Sequence, residues 1–162
     1  MNNIADTKPV LVAIDFSTDS EAALLWASNY ISHIHAPLII LHVVHDPADT
    51  PGFYRRDKDD WTEPLAAVAS HMAKDFIKNM QKKHPELSCL HDSRIEFVSG
   101  LPPGRIVEFA RKEQVQLIVI GSRGRSGLSH ILLGSVAERV AQISDIPVVI
   151  VKSPANVEEK HE

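Results

Sequence analysis

Short apolar runs alternate along the chain with segments whose apolar residues recur at helical spacing. Val10 to Ile14 is the first run and ends at Asp15. Thr18-Asp19-Ser20-Glu21 follows with the pattern of a capping box, in which the Thr hydroxyl and the Glu carboxylate each satisfy a backbone N–H at a helix start. Ala23, Ala27, Tyr30 and Ile34 then fall on one helical face, and Pro37 ends that helix. Leu38 to Val44, broken only by His42, is too short and too β-rich for a helix. A polar stretch with Pro47, Pro51 and Gly52 separates it from Trp61, Leu65, Val68, Met72, Phe76 and Met80. These mark the apolar stripe of a long helix with Lys74, Lys78 and Lys82 opposite. Pro85 stops this helix. Ile95 to Val98 predicts a third strand, and Gly100-Leu101-Pro102-Pro103-Gly104 a turn. Ile106, Phe109 and Ala110 open a third helix. Leu117 to Ile120 predicts a fourth strand running into Gly121. Val136, Ala137, Val140 and Ala141 mark a fourth helix, and Pro147 opens a fifth strand, Val148 to Val151. The polar ends, 1–8 and 153–162, read as loose tails, which leaves 9–152 as one domain.

Strands that are apolar throughout are buried on both faces, which predicts a parallel sheet with helices on both sides. Right-handed crossovers make a single-domain, doubly wound α/β fold the economical arrangement of five strands and four helices. Ligands of such sheets bind beyond the carboxyl ends of the strands, where the winding reverses. Asp15 and Gly121 both stand at such ends and share one crevice if the first and fourth strands are neighbours.

Composition narrows the function classes. The chain has 162 residues, 44% of them hydrophobic and 23% charged, enough for a core without disulfide or metal staples. A lone cysteine, Cys89, and a start without a basic region followed by an apolar stretch point to a cytoplasmic location. No apolar stretch approaches the roughly 20 residues of a membrane span. A net charge of −4 without a basic run argues against nucleic acid as a partner.

The chemistry concentrates in one segment. Four of the seven glycines fall between Gly121 and Gly134. A phosphate needs converging backbone N–H groups. Glycine removes the side chains that obstruct this approach and permits the positive φ of a nest. Gly134-Ser135 then opens a helix whose first amides and dipole favour anions. A helix terminus alone supplies only about 0.3–1 kcal/mol, whereas charge-assisted hydrogen bonds contribute roughly 1.5–3 kcal/mol each, so loop and helix must act together. By spacing alone, a plain strand-to-helix connection accounts for these glycines as well as a phosphate cradle does. Arg123 and Arg125 are either phosphate partners or solvated loop residues.

The spacing Gly121-x2-Gly124-x9-Gly134-Ser135 resembles the G-x2-G-x9-G-(S/T) nucleotide-binding motif of the universal stress protein family. Val12-Ala13-Ile14-Asp15-Phe16-Ser17, Leu41-His42-Val43, Leu132-Leu133-Gly134-Ser135-Val136-Ala137 and Pro147-Val148-Val149-Ile150-Val151 are similar to other stretches of that family. The likeness covers nearly the whole chain apart from its ends and the stretch around Pro47 to Asp60. It implies strand order 3-2-1-4-5 and places the chain in the ATP-binding subgroup. The implied ligand is ATP, with AMP or another adenine nucleotide as alternatives and Mg as an optional companion. Asp15 would sit at the adenosine end, and Val43 would meet adenine through its backbone. Gly121 and Gly124 would border ribose and phosphates, and Gly134, Ser135 and Val136 would hold phosphates. A carboxylate repels a triphosphate, which suits Asp15 to ribose, base or a bridging cation; the alternative is a turn residue capping the next segment. The family commonly dimerises through its last strand, here Val148 to Val151, an apolar edge that needs cover.

Other signatures are missing. No Gly-Lys pair exists for a Walker A loop, and no Gly-x-Gly-x-x-Gly follows a strand. His42 and His45 sit three apart in an extended run and point to opposite faces. Each of the nine histidines reads as a surface or satisfied-core residue, Cys89 as a structural thiol and Trp61 as packing. No side chain is an obvious base for activating water. With no such base present, the resemblance implies a nucleotide-binding stress-response regulator with an unknown protein partner and at most weak ATP hydrolysis. An ATPase or adenylyl-transferring enzyme is the alternative.

Overall fold

The computed structural model describes residues 7–45, 64–124 and 133–154. Trp61, Arg125 and the stretch 46–63 lie outside these residues. The elements are β1 (Val10–Ala13), α1 (Thr18–Ile34), β2 (Leu38–Val44), α2 (Leu65–Lys83), a 3-10 turn (Ser88–Leu90), β3 (Arg94–Ser99), α3 (Pro102–Lys112), β4 (Leu117–Gly121), α4 (Ser135–Ile143) and β5 (Val148–Val151). All five strands are parallel, in the order β3-β2-β1-β4-β5. This is the expected α/β, Rossmann-like fold.

The two-residue period of the strands divides the core between the sheet's faces. Val10, Val12, Leu38, Ile40, Leu117 and Val119 pack with Ala23, Leu24, Ala27 and Ile31 of α1 and Phe76, Ile77 and Met80 of α2. Leu11, Ala13, Ile39, Leu41, Ile118 and Ile120 pack with Ile106, Phe109 and Ala110 of α3 and Ala137 and Val140 of α4. Two helices therefore cover each face. β1 sends its helix to one face and β4 sends its helix to the other, although the strands are neighbours in register, Ala13 beside Ile120. The winding reverses between them.

Several local expectations change. α1 is capped by Ser17, whose hydroxyl accepts from the Ser20 N–H at 3.2 Å. The helix thus begins one residue earlier than the Thr18–Glu21 pattern implies, and Glu21 instead meets Lys83 of α2 at 2.8 Å. Pro102-Pro103-Gly104 belongs to the first turn of α3, where a proline loses no helical hydrogen bond. The buried stripe of α2 runs through Val68, Ala69, Ala73, Phe76, Ile77 and Met80, while Leu65 is exposed. Ser153, expected in a loose tail, is buried.

Candidate nucleotide site

The end of β1 is shaped by a turn in which Phe16 takes φ 66°, a left-handed conformation rare for a bulky residue. Its ring packs on His42, centroids 4.4 Å apart, and edge-on against Phe76 at 5.7 Å. Those contacts offset a strain on the order of 1–3 kcal/mol. The turn lets Asp15 close on the α1 cap. Asp15 Oδ1 accepts from the Ser17 N–H at 3.1 Å and the Ser20 hydroxyl at 2.7 Å, and the Asp15 N–H donates to Ser20 Oγ at 2.9 Å. The capping role weighed for Asp15 is therefore real for one oxygen. The other, Oδ2, faces Gly124, where a Cβ would lie 3.1 Å from it.

β4 supplies the opposite lip. A Cβ on Gly121 would lie 2.8 Å from the Asp19 backbone, so this glycine lets α1 and β4 approach. Gly134 returns to the same place: its N–H donates to the Ser122 carbonyl at 2.6 Å, and a Cβ there would stand 3.2 Å from that oxygen. The glycine spacing thus closes a loop whose two ends touch. Among the described glycines only Gly100 has positive φ, so close approach, rather than the left-handed backbone expected of a nest, explains Gly121, Gly124 and Gly134. Gly134 also precedes α4 as a cap without a side chain, so no capping side chain meets the first-turn amides of Ser135 and Val136, both of which line the opening.

Between these lips lies a crevice of about 240 Å³. Asp15, Val43, Gly121 and Arg123 all line it, as do Gly124, Gly134, Ser135 and Val136. The eight residues singled out in the sequence therefore converge. Pro102 and Ile106 of α3, together with His42 and His45, also line it. The hydrophobic pattern marks Ile106 only as core, and His42 had no ligand signal. The His42 ring is 1% exposed, and its Nδ1–H donates to the Ile14 carbonyl at 2.8 Å. It builds the floor beneath the β1 turn.

Arg123, which the sequence left as a phosphate partner or a solvated loop residue, is paired within the protein. Its Nε donates to Asp19 Oδ2 and its terminal nitrogen to Oδ1, each at 3.1 Å. Asp19 is 3% exposed. Burial pushes its carboxyl upward, but hydrogen bonds from Arg123, Ser153 and Ser122 outweigh this and hold it far below the usual carboxylate range. The same bond raises the Arg123 guanidinium further. Asp19 was read only as part of a capping box; only long-range contacts reveal this role. The site thus brings the amino end of α4 and Gly124 together with Asp15, beside apolar walls from Val43, Pro102 and Ile106. Among the described residues no group of three or more His, Cys, Asp or Glu side chains gathers to hold a metal ion.

The model of the Universal stress protein family matches residues 6–152. The chain belongs to the universal stress protein family. Universal stress protein MJ0531 of Methanocaldococcus jannaschii is 32% identical over 91% of this chain and 83% of its own length. Universal stress protein Rv2623 of Mycobacterium tuberculosis is 32% identical over 89% of this chain but only 45% of its own length. Among solved structures, protein MJ0577 of M. jannaschii superposes with a TM-score of 0.68 at 29% identity, over 91% of this chain and 97% of that one. Two further universal stress proteins share the fold. One was solved in complex with cAMP (24% identity, TM-score 0.59, 90% of this chain and 97% of that one). The other, from Archaeoglobus fulgidus, was solved with dAMP (23%, 0.57, 89% and 97%). No helix among the described residues is long and apolar enough to cross a membrane.

Proposed function

We propose that this universal stress protein binds ATP or a related adenine nucleotide in the crevice and acts through it as a stress-response regulator. One observation carries the reading: the crevice lies where the winding reverses, and the amino end of α4, the Gly121–Gly134 closure and Asp15 line it together. In open α/β sheets this is where ligands bind. The first-turn amides of α4 suit a phosphate. Asp15 Oδ2 suits ribose hydroxyls, which a carboxylate accepts from without repulsion. Ile106, Pro102 and the Val43 backbone suit the base. The complexes of two family members with cAMP and dAMP support an adenine ligand. The motif spacing supports ATP within that class, with Mg as its counterion.

Isothermal titration with ATP, AMP and cAMP, each with and without Mg, tests the proposal. Saturable binding of one or more is expected, and heat from none of them rejects it. Magnesium-dependent turnover lost in Asp15→Ala would move the reading to a nucleotide-using enzyme. We further propose a homodimer through β5, an edge strand with Ile150 exposed; its symmetry mate would satisfy the open side of the ladder. A monomeric mass at micromolar concentration in light scattering rejects the dimer.

A further inference from the structure

Asp19 gathers donors from two stretches of chain that are distant in sequence. The Ser122 hydroxyl and the Arg123 N–H reach Oδ2 from the end of β4 at 2.8 and 2.9 Å. The Ser153 hydroxyl and N–H reach Oδ1 from just beyond β5 at 2.5 and 3.3 Å. The Arg123 guanidinium closes the ring, since it also donates to Ser153 Oγ at 3.1 Å. Asp19 itself sits in the first turn of α1, pressed against Gly121. One buried carboxylate therefore fastens the start of the site loop and the end of the edge strand to the same helix end.

We propose that Asp19 is a positioning residue that makes the Ser122–Gly124 lip of the crevice and the end of β5 one mechanical unit. A buried charge satisfied from two sides cannot release one partner without leaving the remaining charges under-compensated. Displacing Ser153 therefore weakens the hold on Arg123, and moving Arg123 weakens the hold on Ser153. The direct ladder bond from the Ser122 N–H to the Val151 carbonyl, 2.7 Å, runs alongside but does not include the Arg123 backbone. The consequence for ligand rests on the proposed nucleotide site: phosphate that orders the lip also orders the end of β5, and with it the edge that a second copy would use.

Amide hydrogen exchange on the whole chain tests the coupling without ligand. Ser153→Ala is expected to speed exchange at the Arg123 N–H about fivefold or more, the loss of roughly one net hydrogen bond. Ser122→Ala should do the same at the Ser153 N–H. Amides in mid-β2, such as Ile40, should stay unchanged in both variants, which separates coupling from general destabilisation. In the wild type, ATP is expected to slow exchange at the Ser153 N–H, and in Asp19→Asn to leave it unaltered. Changes confined to the mutated stretch in both serine variants overturn the proposal. So does ATP that binds by titration yet protects only the lip. If titration shows no ATP binding, the nucleotide reading fails and the two serine variants alone decide the coupling.

Discussion

Gly121 and Asp19 show how single residues set the geometry. The space for a Cβ on Gly121 is occupied by the Asp19 backbone, 2.8 Å away, and neither β4 nor the first turn of α1 can yield cheaply. Gly121→Ala is expected to destabilise the fold by about 1–3 kcal/mol, as overpacking does, measured by urea unfolding. Asp19 carries a charge whose native pKa is depressed below the ordinary value near 3.8. A depressed carboxylate stabilises the fold fully above its unfolded pKa. That contribution drains as pH falls below it and vanishes once pH passes the native value. Asp19→Asn should therefore lower stability at pH 7 by roughly 2–4 kcal/mol, since it leaves Arg123 without its counter-charge. It should also flatten the fall in stability between neutral pH and acid. Unfolding free energies at several pH values check both. An unchanged acid slope would show that other carboxylates carry it.

At the scale of elements, the end of β1 and the start of α1 form one device. Ser17 caps the helix, Asp15 accepts from Ser17 and Ser20, and Phe16 bends the chain between them. Loss of a side-chain cap typically removes about 1 kcal/mol. Ser17→Ala is expected to show that loss in thermal unfolding, whereas Thr18→Ala, at an exposed position, should change stability by less than about 0.5 kcal/mol. The reverse ranking would restore the capping box that begins at Thr18. The sequence displays the Thr18–Glu21 cap pattern, whereas the cap that forms is Ser17, one residue earlier, with Asp15 bonded to Ser20 beside it. α3 teaches the same lesson: its prolines look like a turn in isolation and serve as a helix start in place.

At the scale of the whole molecule the two edges of the sheet differ. β3 and β5 are both edges, but β3 carries the Arg94–Glu96 pair along its length and is tied to Glu113. Charges of this kind discourage pairing. β5 is apolar throughout, with Ile150 exposed. Ile150→Lys is expected to shift the proposed dimer to monomer in sedimentation while changing urea stability little, because the side chain packs only partly within its own subunit. Retention of the dimer would place the interface elsewhere. Such a monomer would also separate the role of β5 in assembly from its link to Asp19, since Ser153 remains in place.

The amino-acid sequence by itself determined the order of elements and the two-faced core, and it singled out eight of the crevice residues but not Pro102, Ile106, His42 or His45. Period-two and period-3.6 apolar patterns decide which face of each element leaves water, and strand ends in a parallel sheet decide where a ligand can enter. The spacing of Gly121, Gly124 and Gly134 was legible only through its resemblance to a family motif, and the close approaches that require those glycines appear only in the fold. The partnership of Asp19 with Arg123 and Ser153 was not legible, because it joins residues 104 and 134 positions apart. Their side chains look solvent-seeking until the fold removes the water around them. Only tertiary structure decided that the arginine of the loop answers to a buried carboxylate, and that the segment after β5 is fastened to the lip of the site.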